Sequence, residues 1–108
     1  MRGRRCGMTI KELSLTATIL RYRAEVFTQL ANQLEAEERG EPADYPVTYW
    51  PLIETIENWS RPAENLPEAM DALKLAIEDY EAGDTPRIPA MMKAALGWMN
   101  AEYARRTA

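Results

Sequence analysis

Two pairs of carboxylates have a spacing that suits metal binding. Glu54 with Glu57, and Glu68 with Asp71, lie three residues apart, so each pair shares one face of a helix and could hold a divalent cation. A di-metal helical site needs carboxylates that face the bundle interior, usually with histidine three residues further on. The chain has no histidine, and both pairs lie opposite the apolar positions of their helices. The sequence therefore predicts solvated carboxylates and no metal site.

The chain also lacks the residues and motifs that nucleophilic catalysis and cofactor binding usually require. Cys6 is the only cysteine, so a zinc ion would have to bind Cys6 with carboxylates alone, and an intramolecular disulfide cannot form. We interpret Cys6 as an incidental thiol. Without histidine the chain lacks the commonest general base, and it has neither a glycine-rich phosphate loop nor a nucleophile elbow. The sequence predicts that the protein is not an enzyme and binds no cofactor.

Proline, glycine and capping residues predict the order of the helices. A helix over about 9–39 begins at a Thr-x-x-Glu capping box and ends at Gly40. Three prolines within residues 40–51 forbid a regular element there. A short helix should follow over about 49–60, and a third over about 66–82, capped by Asn65. The predicted core face of the second helix is Leu52, Ile53, Ile56 and Trp59, and the apolar stripe of the third is Leu66, Met70, Leu73, Ile77 and Tyr80. The predicted outer face of the third helix carries Glu68, Asp71, Glu78 and Asp79.

The last helix is predicted over about 89–105. Gly97 lies in its middle, where glycine costs about 1 kcal/mol relative to alanine, so we expect close approach of another helix there. The predicted fold class is all-α, with one long N-terminal helix packed by three shorter helices. Residues 9–108 would form a single helical domain, preceded by a flexible basic arm over residues 1–8.

The first helix has two apolar faces. The main row steps by three and four residues, and a second row lies about 140° away at roughly 100° per residue. We expect the main row to pack against the chain's own last two helices, because its small residues recur every seven positions. The second row would then exceed what the short helices can cover. The main row contains Ile10, Leu13, Ala17, Leu20, Ala24, Phe27, Ala31 and Leu34.

A surplus apolar row predicts binding to a second copy or to a partner protein. Arginine and aromatic side chains dominate binding hot spots, and both types occur beside the row and in the proline-stiffened connection. The alternative is that the arginine pairs with a carboxylate and the aromatic residues seat the short helix on the core. The predicted partner-binding residues are Leu15, Ile19, Tyr22, Arg23, Val26, Leu30, Tyr49 and Trp50.

Charge is strongly segregated along a chain whose net charge is −4. Residues 33–84 carry fourteen acidic side chains against three basic ones, whereas residues 1–23 carry six basic side chains against one acidic. Such asymmetry concerns partners and association. We expect a homodimer or a complex with a protein partner, and we do not expect direct nucleic-acid binding because no basic recognition helix appears.

The resulting functional hypothesis is a non-enzymatic protein–protein interaction module, such as an adaptor, assembly chaperone or inhibitor. In size and acidity the chain is similar to small helical accessory proteins of phages and mobile elements. The alternative is an acidic mimic of nucleic acid, or a regulator of a nucleic-acid-binding protein. No apolar run approaches the roughly 20 residues of a membrane span, and we expect a cytoplasmic protein.

Overall fold

The computed structural model describes residues 13–42, 48–83 and 85–108. Within these ranges the fold is all-α, as predicted from the sequence, and contains no strand. α1 packs against α2 and α3, and α4 packs against the same two helices. The four helices are α1 (Leu15–Glu38), α2 (Trp50–Glu57), α3 (Leu66–Ala82) and α4 (Arg87–Thr107).

α1 begins later than the sequence predicts. Leu13 and Ser14 are not helical, and the Ser14 hydroxyl caps α1 by accepting a hydrogen bond from the amide of Ala17 at 3.1 Å. A serine in this position satisfies one of the unpaired amides of the first turn. The predicted capping box at residues 9–12 and the basic arm of residues 1–8 lie outside the described residues.

The predicted start and end of α3 are confirmed. The side chain of Asn65 accepts a hydrogen bond from the amide of Glu68 at 2.9 Å, and the Glu68 carboxylate accepts one from the amide of Glu64 at 3.0 Å. Gly83 ends the helix with a positive φ of 144°, a conformation that glycine adopts without steric cost. These two caps set the length of α3.

Gly97 allows close approach, but to a connecting segment and not to a helix as the sequence analysis expected. A Cβ atom at Gly97 would lie 2.9 Å from the Cβ of Pro62, in the segment between α2 and α3. The amide of Ala63 donates a hydrogen bond to the carbonyl of Ala94 at 2.9 Å in the same region. Gly97 therefore lets α4 dock directly on this connection.

Small side chains dominate the core between the helices. Seven alanines of α3, α4 and the connection before α3 are buried together with a few larger residues. Alanines on facing helices bring the backbones close together, so little space remains for bulky side chains between them. The largest fully buried side chains are Leu15, Ile56, Leu75 and Met91.

Candidate protein-interaction surfaces

The second row of α1 lies against the chain's own core along much of its length. Leu15 and Ile19 are 1% and 2% exposed and belong to the core cluster. Tyr22 packs against that cluster, and Val26 is half-buried. Assigning Leu15 and Ile19 to a partner surface was therefore wrong. These branched side chains share the core cluster with the small alanines of α3. The periodicity of α1 alone does not predict which of its two apolar faces packs there.

Tyr22 and Arg23 make intramolecular contacts. The ring of Tyr49 meets that of Tyr22 edge-on, with centroids 5.8 Å apart, and the guanidinium of Arg87 lies 5.1 Å from the centroid of Tyr22. Burial raises the pKa of the Tyr22 hydroxyl, and the positive charge of Arg87 partly opposes that rise. Arg23 donates a 2.6 Å hydrogen bond to Glu78. These contacts match the alternative in which the arginine pairs and the aromatic residue seats α2.

Leu30 and Trp50 are the two predicted site residues that are exposed. Leu30 lies on α1 one turn from both Phe27 and Leu34, and Trp50 is the first residue of α2. Both keep more than half of their surface in contact with solvent. Of the predicted set, they are the residues most accessible to another protein.

The main row of α1 faces outward, contrary to the prediction that it packs inside. Leu20, Phe27 and Leu34 are 60%, 67% and 56% exposed. The alanines between them, Ala24 and Ala31, are also exposed. This five-residue set, here called the outer row, is an apolar stripe with a heptad spacing, the arrangement that packs against a second helix in a coiled coil.

The bulky rows of α3 and α4 also face outward. The sequence indicated Leu66, Met70, Leu73, Ile77 and Tyr80 as the apolar stripe of α3, yet all except Leu73 are about half-exposed or more. Exposed apolar patches larger than a few hundred Å² usually mark binding surfaces. Sequence reasoning missed this surface because the inward positions are occupied by alanine. The outward-facing residues of α4 are Met92, Leu96, Met99 and Tyr103.

Two of the four carboxylates considered for metal binding are committed to the fold. Glu68 is buried and caps α3, so the prediction that it is solvated was wrong. The Asp71 carboxylate accepts a 2.9 Å hydrogen bond from the hydroxyl of Thr16 and so ties α3 to α1. No group of three or more cysteine, aspartate or glutamate side chains in the described ranges could hold a metal ion.

The basic residues at the end of α4 are paired within their own helix. Hydrogen bonds from Arg105 and Arg106 lower the pKa of Glu102 to about 2. Arg39 pairs with Glu41 beyond the end of α1. By contrast, neither Lys74 nor Lys93 forms an ion pair with a described residue.

No protein-family model, curated protein or solved structure matches this chain. None of the described helices is both long and apolar enough to cross a membrane. The structure alone therefore defines the candidate sites. They are two exposed apolar surfaces, the outer row of α1 and the bulky face of α3 and α4.

Proposed function

We propose that this chain is a non-enzymatic protein–protein interaction module that forms a homodimer through the outer row of α1. The supporting observation is the outward position of Leu20, Phe27 and Leu34. Transfer of large apolar side chains from water into an interface is favourable, and their heptad spacing suits packing against a second helix. Pairing α1 with α1 of a second copy would cover them.

The sizes of the side chains suit pairing in an antiparallel direction. With Ala24 opposite Phe27 of the second copy, Ala31 lies opposite Leu20 of that copy, so each small residue receives a large one. The apolar area of the outer row and Leu30 is roughly 400–500 Å² per copy. Together with the flanking polar residues, a two-copy interface reaches about 1,000 Å², near the lower limit for specific association.

Charge also favours the antiparallel direction. Arg21 flanks the outer row in the first half of α1, where its 3.9 Å pair with Glu25 is exposed and therefore weak. Glu35 and Glu37 flank the outer row in the second half. An antiparallel dimer places the basic half of each helix beside the acidic half of the other. A parallel dimer would bring like charges together. We therefore assign Glu35 and Glu37 to dimerisation. No observation favours the alternative, in which the acidic residues mimic nucleic acid.

Phe27→Glu is expected to convert the dimer into a monomer. Each copy would lose a large apolar contact and place a carboxylate in the interface, which should weaken dimerisation at least 100-fold, or about 2.7 kcal/mol. Light scattering coupled to size exclusion, over a series of protein concentrations, measures this. The matched control is Asn32→Glu, which introduces the same charge at an exposed position away from the outer row. A monomeric wild-type chain at every concentration would contradict the proposal.

The direction of pairing is testable with spin labels. In a Cys6→Ser background, Glu37→Cys carries a label near the end of α1. Two such labels should lie more than about 25 Å apart in an antiparallel dimer, at 1.5 Å per residue, and much closer in a parallel one. A label at Thr28→Cys, near the centre of α1, should give a short distance in either case. Short distances from both positions would show parallel pairing.

A further inference from the structure

The connection between α2 and α3 and the middle of α4 border a cavity of about 390 Å³. Part of its wall is apolar, because Gly97 has no side chain and Pro62 therefore lies directly on the helix. A cavity of this volume lies near the lower end of the range of small-molecule sites, so it can hold a small organic group. The lining residues include Trp59, Ser60, Arg61, Pro62, Lys93 and Gly97.

The charged side chains of this cavity are positive. Its described lining residues include Arg61 and Lys93 but no aspartate or glutamate, and neither cation forms an ion pair with a described residue. Glu57 and Glu64, the acidic residues nearest to Arg61 in sequence, do not line the cavity. On α4, residues 87–101 contain no acidic residue. Two positive charges without partners beside one cavity favour an anion.

Arg61 is held in place before any ligand binds. Its guanidinium donates a 3.0 Å hydrogen bond to the Leu13 carbonyl and lies 4.3 Å from the centroid of the Trp59 ring. An arginine has several N–H donors, so this one hydrogen bond leaves others for an anion. A guanidinium fixed in this way loses little further conformational entropy on binding, and its planar fork matches the oxygens of a phosphate. Ser60 lines the same cavity and can donate one more hydrogen bond.

We propose that this cavity binds a small organic phosphate monoester, with the phosphate between Arg61 and Lys93 and the organic group against Pro62 and Gly97. A phosphate monoester carries a charge of about −1.5 to −2 at pH 7, so it matches two cations better than the single charge of a carboxylate does. The inference goes beyond the α1 homodimer and does not depend on it, because no residue of the outer row lines the cavity.

The test titrates the full chain, with ¹⁵N-labelled tryptophan, with phenyl phosphate. We expect phenyl phosphate to shift the indole N–H signal of Trp59 saturably. That N–H is buried and donates to no described residue, and Trp59 lines the cavity, so its signal responds to a charge placed there. Trp50 begins α2 and does not line the cavity, so it serves as the internal reference. Benzyl alcohol, which keeps the ring without the charge, should bind about tenfold more weakly or worse.

Lys93→Gln should weaken the binding of phenyl phosphate about tenfold or more, because a charge-assisted contact is lost, and Lys93→Arg should retain most of the affinity. The matched control is Lys74→Gln, which removes the same charge from an exposed position on α3 outside the cavity lining and should leave the affinity nearly unchanged. Equal binding of phenyl phosphate and benzyl alcohol, or equal losses for Lys93→Gln and Lys74→Gln, would overturn the proposal. So would equally tight binding of dimethyl phosphate, because the cavity would then not distinguish a monoester from the diester of a nucleic-acid backbone.

Discussion

Replacement of Arg87 by methionine should lower the free energy of unfolding by about 3–5 kcal/mol, the usual cost of leaving one partner of a buried ion pair alone. The guanidinium donates hydrogen bonds of 2.7 and 3.3 Å to the Asp79 carboxylate, and the two side chains are only 11% and 10% exposed. Without Arg87, the buried carboxylate would keep a 3.3 Å hydrogen bond from Thr85. That single neutral donor cannot offset the loss of hydration.

Urea unfolding followed by circular dichroism measures this change. The double variant Asp79→Leu/Arg87→Met should recover much of the loss, because it removes the unpaired charge together with its partner. Arg39→Met is the matched control, since it breaks the exposed Arg39–Glu41 pair and should cost less than about 1 kcal/mol. Equal losses for Arg87→Met and Arg39→Met would show that the Asp79 site is hydrated.

The Arg87–Asp79 pair also shows where sequence reasoning stops. The pattern of α3 placed Asp79 on its outer, solvated face, but Asp79 is 7% exposed. Arg87 is eight residues away across the turn and lies over Tyr22 of α1. Nothing in the spacing of these three residues predicts that they meet. Their contact depends on how the α3–α4 hairpin rests on α1, which local sequence does not encode.

Helix order was predictable from the sequence because its signals are local. Asn65 and Gly83 act within one turn of the helix that they bound, and a proline blocks a helix wherever it stands. The inward face of each helix was not predictable in the same way. The inward face was predicted from the positions of bulky apolar residues, whereas the core of this protein is filled largely by alanine. The main row of α1 was therefore assigned to the wrong side.

The same error reversed the prediction of which α1 residues are exposed. Leu15 and Ile19 were predicted to contact a partner and instead fill the core, while Leu20 and Phe27 were predicted to fill the core and instead face outward. The sequence correctly indicated that α1 has more apolar surface than the described part of the chain covers. Which row is left over depends on the small residues of α3, and those act through tertiary packing.

Two isoleucines on predicted apolar stripes should respond very differently to truncation. Ile56→Ala is expected to destabilise the fold by about 2–4 kcal/mol, through lost burial and the cavity that remains. Ile56 is 0% exposed and helps to hold α2, an eight-residue helix that lies against both α1 and α4. A helix this short has little stability of its own, so loss of this side chain should loosen the contacts of both neighbours.

Ile77→Ala is the matched control, since it removes the same atoms from a position that is 58% exposed. It should change the free energy of unfolding by less than about 0.5 kcal/mol, because the Ile77 side chain is already in contact with solvent in the folded state. Denaturant midpoints measured for both variants give the two changes. A loss of stability for Ile77→Ala as large as that for Ile56→Ala would mean that the bulky row of α3 packs inward. Both candidate surfaces depend on alanines filling the core so that larger apolar residues remain outside, and that result would remove this basis.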